Sequence, residues 1–153
     1  MDLILWRHAE AHVLRDGQDD AERSLTTKGE RQAQRMAEWL NQRLAQTTRI
    51  LVSPALRTQQ TAKALERKFK TLAALGPAGS ADELLDAARW PGASEPVLVI
   101  GHQPALGIVI ARLLAGQEQS WPVKKGAVWW LRQREREDGP QVNLQAVIGP
   151  DYL

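Results

Sequence analysis

Short apolar runs recur along the chain and stop abruptly at residues that carry chemistry. Leu3-Ile4-Leu5-Trp6 ends at Arg7-His8, Ile50-Leu51-Val52 at Ser53-Pro54, and Val97-Leu98-Val99-Ile100 at Gly101-His102. Unbroken apolar runs of this length match strands covered on both faces, as in a parallel sheet. Lys70–Ala74, Ala127–Leu131 and Val142–Val147 complete the strand candidates, the last two alternating less cleanly. Between those two, Glu135–Gln141 contains Asp138-Gly139 and reads as a polar hairpin turn.

Elsewhere the period becomes helical. Thr27 and Glu30 form a capping-box pattern, after which Ala33, Met36, Ala37, Leu40 and Leu44 fall on one face. Pro54 suits the first turn of a second helix, with Ala55, Ala62, Leu65 and Phe69 pointing inward. Gly76-Pro77-Ala78-Gly79-Ser80 is a loop, and Asp82–Arg89 a short helix ending before Trp90-Pro91-Gly92. Leu106, Val109, Ile110, Leu113 and Leu114 line a last helix, which Gly116 terminates. No repeat, low-complexity segment or linker interrupts this alternation. It predicts one α/β domain over residues 1–153, a three-layer sandwich with a mostly parallel central sheet.

Composition narrows the field without naming a function. A chain of 153 residues can build one ordinary core. The net charge of +2 argues against a nucleic-acid partner. Cysteine is absent, so there is no disulfide, thiolate metal site or cysteine nucleophile. The first ten residues carry Asp2, Arg7, His8 and Glu10 and cannot form the apolar core of a signal peptide. No run approaches the ~18 apolar residues of a membrane span, so no membrane partner and a cytoplasmic setting are expected.

Only three histidines occur, and two of them, His8 and His102, end strand candidates. Either alone could be a surface residue at a strand end. If the three apolar strands run parallel, however, Arg7, His8, Arg57 and His102 converge on one sheet edge, where ligands of open α/β sheets bind. Ser53 and the amides opening the Pro54 helix lie close by, and a helix N-terminus favours an anion. Two arginines can grip phosphate oxygens with fixed charge and bidentate geometry, so this is a phosphate site. His12, four residues after His8, would share a helical face with it as a metal ligand, but it leads into the Arg15-Asp16-Gly17 loop and reads as a rim residue. Lys124-Lys125 and the Arg132–Arg136 cluster read as solvated strand ends that could instead dock an acidic partner. Trp6 is expected to pack beneath the site, Trp39 in a helix core face, and one of Trp129-Trp130 to be exposed.

The sequence resembles the histidine phosphatase superfamily. The resemblance rests on Arg7-His8 after the first strand, Leu25-Thr26-x-x-Gly29, the Ser53-Pro54-x-x-Arg57-x-x-Gln60-Thr61 stretch, and Gly101-His102, in that order. The short length and the wording around Ser53 and His102 look most like the SixA-type phosphohistidine phosphatases. The resemblance implies a phosphoglycerate mutase-like fold and a phosphatase that needs no metal or other cofactor. It makes His8 a transiently phosphorylated nucleophile, has Arg7 and Arg57 hold the phosphoryl group, and lets His102 donate a hydrogen bond to it. The family's glycine after the histidine is Ala9 here, which requires that neither positive φ nor closest backbone approach be essential.

Relatives acting on small phosphate esters place a carboxylic acid between the second and fourth strands. Asp82, Glu83 and Asp86 are the candidates here, with Glu83 the first choice, against the plain reading that acids in a first helical turn favour its dipole. A leaving imidazole, with pKa ~6.5, needs no tuned acid, which fits a phosphohistidine substrate on a protein. The rivals are a small-molecule (sugar phosphate type) phosphomonoesterase, a non-catalytic phosphate- or phosphoprotein-binding module, and a metal hydrolase built on His8, His12 and His102.

Overall fold

The computed structural model describes all 153 residues. The three apolar runs become β1 (Asp2–Arg7), β2 (Arg49–Val52) and β4 (Val97–Gly101), with a two-residue β3 (Lys70–Thr71) at one edge. β5 (Val128–Arg136) and β6 (Gly139–Ile148) form a long antiparallel ribbon at the other. The single six-stranded sheet has the order β3-β2-β4-β1-β5-β6. β3, β2, β4 and β1 are mutually parallel, and β5 pairs antiparallel with β1.

The pleat divides the apolar runs between two cores. Leu3, Leu5, Leu51, Val97 and Val99 pack against α3 (Ala81–Ala87) and α4 (Ala105–Ala115) through Leu84, Leu106, Val109 and Ile110. Their neighbours Ile4, Trp6, Ile50, Val52, Leu98 and Ile100 face α1 (Thr27–Asn41) and the end of α2 (Leu56–Lys63), meeting Met36, Ala37, Leu40 and Ala62. This is why the runs are unbroken: both faces of each strand are covered. Each fully buried Leu or Ile stabilises the fold by about 2 kcal/mol. No helix is long and apolar enough to cross a membrane.

Several local expectations are corrected. α1 is capped by Thr26, not Thr27: the Thr26 hydroxyl accepts from the Gly29 amide at 3.0 Å, so Glu30 lies one residue too far on to complete a box. Pro54 does not sit in a helical turn. Pro54 and Ala55 form a bend, with Ala55 extended, and α2 runs only from Leu56 to Lys63, although Leu65 beyond it remains buried. The third strand is confined to Lys70–Thr71, with Ala73–Leu75 a 3-10 turn. The hairpin is tighter than Glu135–Gln141, since β5 reaches Arg136 and β6 starts at Gly139. Trp129 and Trp130 are both half-buried, and the Trp130 indole donates to Asp2 at 3.1 Å.

Candidate active site

Three neighbouring parallel strands deliver the site. Arg7 pairs with Gly101 and Val52 with Ile100, so Arg7-His8, Ser53 and His102 emerge together at the carboxyl edge of β1, β2 and β4. Arg57 joins them from the first turn of α2, only 3% exposed. The His8 and His102 rings lie 5.4 Å apart, centroid to centroid. The segment 123–127 closes one side, with the Gly126 amide donating to the carbonyls of Arg7 at 3.2 Å and His8 at 2.9 Å. Gly126 has φ +78°, a conformation that suits glycine at this turn. Beneath, the buried Trp6 indole donates to the Gly126 carbonyl at 3.0 Å, which adds to the floor the sequence predicts.

A hydrogen bond to a carbonyl fixes the His8 tautomer. His8 Nδ1 lies 2.7 Å from the Ala9 carbonyl, which can only accept, so Nδ1 carries the proton and Nε2 keeps its lone pair. Burial first, and then the Arg57, Arg7 and Arg23 charges, push the His8 pKa down to about 4, against a smaller upward pull from that carbonyl. His8 is therefore a neutral imidazole near pH 7. His102 is held lower, to about 3, by burial, then Arg57 and His8, with Asp20 opposing. His102 Nε2 meets Ser53 Oγ at 2.7 Å, while that oxygen accepts from the Ala55 amide at 3.2 Å. With Ser53 as the donor to Nε2, His102 carries its proton at Nδ1 and can donate from there; with the roles reversed, Nε2–H donates to Ser53. Ser53, expected at the phosphate, thus bonds to His102.

The arginines have a common character. Arg7 Nη1 donates to the Val123 carbonyl at 2.7 Å, and Arg57 donates from Nη1 and Nη2 to the Asp20 carbonyl and carboxylate at 2.8 and 2.9 Å. In both guanidiniums Nε is buried and unpartnered. Arg23 donates from Nε to the other Asp20 oxygen at 2.9 Å, and from Nη1 to the His12 carbonyl. Three guanidiniums against one carboxylate leave an excess of two positive charges, equal and opposite to a phosphate dianion. For the Asp20 carboxyl, burial pulls upward, but the bonds from Arg23 and Arg57 outweigh it and hold the pKa below the usual range.

Sequence reasoning passed over Asp20 and Arg23. Both lie in a polar stretch with no periodicity, and only the fold shows the 3-10 turn Asp20–Glu22 returning over Arg57. The nearest available signal was Arg23 itself, standing just before the Leu25-Thr26 motif.

Other expected residues do not join the cluster. Glu83 is exposed and completes the capping box of α3: its carboxylate accepts the Ser80 amide at 3.1 Å, while the Ser80 hydroxyl accepts the Glu83 amide. Asp82 pairs with Arg112. The His12 side chain is exposed, as its rim reading required. Ala9 fits because its backbone is not among the positive-φ residues, and its methyl group packs with Ala11, Leu25 and Ala33.

Known proteins resemble this chain in sequence and fold. The model of the histidine phosphatase superfamily (branch 1) matches residues 3–77. Phosphohistidine phosphatase SixA of Escherichia coli is 33% identical over 126 residues, 76% of this chain and 76% of that protein. A SixA homolog of Haemophilus influenzae is 33% identical over 129 residues, 74% of this chain and 77% of its own. A solved structure of the protein histidine phosphatase SixA complexed with tungstate superposes at TM-score 0.78 and 27% identity, covering 99% of each chain. Fold and relatives together define a phosphatase, a hydrolase of the α/β class. The chain belongs to the histidine phosphatase superfamily, and within it is of the SixA type.

Proposed function

We propose that this phosphatase removes the phosphoryl group from phosphohistidine on a protein, through a transient phospho-His8. The observation that carries the substrate is the state of Asp20. It is the carboxylate bonded into the cluster, and two arginines keep it ionised, so it holds no proton to give a leaving oxygen. An alkoxide leaving group needs that proton, whereas imidazole, with pKa ~6.5, does not. The SixA relatives are named for the same substrate class.

In the first step the His8 Nε2 lone pair forms a bond to phosphorus as the substrate's N–P bond breaks. The substrate ring reacts protonated on its other nitrogen, so the N–P electron pair returns to it and it departs as neutral imidazole with no further proton needed. His8 becomes a phosphoimidazolium whose Nδ1–H already points at the Ala9 carbonyl. Arg7 and Arg57, through their free Nε–H groups, and His102 through Nδ1–H, hold the phosphoryl oxygens as charge spreads over them. In the second step water attacks phosphorus, loses a proton to solvent, and returns His8 to the neutral form with release of phosphate.

Rapid quench with labelled substrate tests this. Acid-labile, base-stable phosphate is expected on the peptide containing His8, and His8→Ala abolishes turnover. Label on serine, or turnover with no trapped label, rejects the scheme.

A further inference from the structure

A groove of about 590 Å³ opens beside the cluster, lined in part by Gln32, Lys124, Lys125, Trp129, Ile148 and Tyr152. It shares a wall with the catalytic residues. Val123 accepts from Arg7 Nη1, Gly126 donates to the Arg7 and His8 carbonyls, and Ala127 accepts the Arg7 amide. On the opposite side Gln32 accepts the amide of Glu10, two residues after His8. The groove and the catalytic cluster are therefore joined through the segment 122–127.

The groove's chemistry is two-sided. Lys124 and Lys125 are exposed, make no ion pair, and face a single lining carboxylate, Asp151. The floor is apolar, with half-buried Trp129 and Ile148, 46%-exposed Val147 and 84%-exposed Tyr152. An exposed tyrosine beside a half-buried tryptophan is the composition of a protein-binding surface. Unpaired lysines on the rim select the sign of what binds.

We propose that this groove docks the substrate protein, and that its occupant is a segment carrying an apolar side chain and acidic residues beside the phosphohistidine. The apolar side chain covers Trp129 and Tyr152 while the carboxylates meet Lys124 and Lys125. This rests on the reading of a phosphohistidine protein as substrate. It adds where recognition occurs and the charge the partner must bring.

The test uses synthetic phosphohistidine peptides of equal length whose flanks are acidic and apolar, neutral, or basic, together with an aryl phosphate. The intact enzyme is expected to show at least tenfold higher kcat/KM on the acidic-apolar peptide than on the basic one, expressed through KM. Lys124→Glu with Lys125→Glu reverses that order, and Tyr152→Ala lowers the acidic-apolar value several-fold. Both variants keep aryl phosphate turnover within about threefold, which establishes that they fold and that the cluster is intact. Equal turnover of all flanks, or a preference that survives lysine reversal, overturns the docking proposal while leaving the substrate reading in place. So does self-association of the enzyme that the lysine variants abolish, which would make the groove a contact between copies. Hydrolysis of the aryl phosphate with none of any phosphohistidine peptide overturns the substrate reading itself.

Discussion

Arg57 is buried and held by Asp20. Asp20 takes both of its terminal nitrogens, which fixes the guanidinium plane and leaves Nε buried without a hydrogen bond. Lysine can reproduce the charge but not that fork, so Arg57→Lys is expected to lower kcat/KM by about 10²-fold, the scale of losing one transition-state donor. Arg15→Lys, in the exposed loop, should stay near wild type, and equal effects would show that Arg57 does not face phosphate. The acid question is settled by leaving-group dependence. Glu83→Gln should change stability little, since a glutamine side-chain oxygen can still accept the Ser80 amide in the capping box, and leave turnover unchanged on alkyl and aryl phosphates alike. Asp20→Asn should slow both by a similar factor, because it loosens Arg57 and Arg23. Selective loss on the alkyl phosphate in either variant would identify a working acid. Arg7, His8, Arg57 and His102 were legible because each stands at a fixed offset from an apolar run. Asp20 was not, because its position depends on a loop whose path no local pattern encodes.

At the scale of elements, strand ends were readable and helix starts were not. Pro54 is a good first-turn residue by propensity. Here the carbonyl of Ser53 is instead satisfied by the Thr58 hydroxyl at 3.0 Å and the Gln59 amide at 2.9 Å, and helical geometry begins only at Leu56. Side chains further along the chain decided the boundary. The link between α4 and the site was equally hidden. The Gly107 amide donates to Gln103 at 2.8 Å, and the Gln103 side chain donates to the Trp121 carbonyl at 2.7 Å. A Cβ at Gly107 would stand 1.9 Å from that carbonyl. Two residues further on, Val123 seats Arg7. Gly107→Ala must therefore push the 121–126 segment away. We expect a loss of about 1–3 kcal/mol in urea denaturation, as for overpacked cores, together with a fall in kcat/KM. Unchanged stability and turnover would show that the segment shifts freely.

For the molecule as a whole, the two buried histidines shape its response to acid. Their native pKa values, about 4 and about 3, lie below the ~6.5 of an unfolded histidine. Above pH 6.5 both states hold them neutral and they add no pH dependence. As pH falls, the unfolded chain takes up protons that the native state refuses, so stability is lost from about pH 6.5 down toward those native values. Each such proton is worth about 1.4 kcal/mol per pH unit on that limb. Between pH 7 and 5 the urea midpoint should drop, and His8→Gln should remove about one proton's share of the slope. An unaltered slope would mean that His8 titrates normally in the folded protein.

The unpartnered Nε–H groups of Arg7 and Arg57 carry a further consequence. A buried donor left without an acceptor costs about 1–3 kcal/mol, so an anion seated against these groups gains by satisfying them. An oxyanion that satisfies both donors binds the native state and not the unfolded chain. At ten times its dissociation constant it stabilises by about 1.4 kcal/mol, and at a hundred times by about 2.7 kcal/mol. Inorganic phosphate, the product of every turnover, is such an anion. On the proposed reading the reaction's end product would act as a folding ligand for the enzyme that releases it, so that ambient phosphate raises the enzyme's stability as it fills the site.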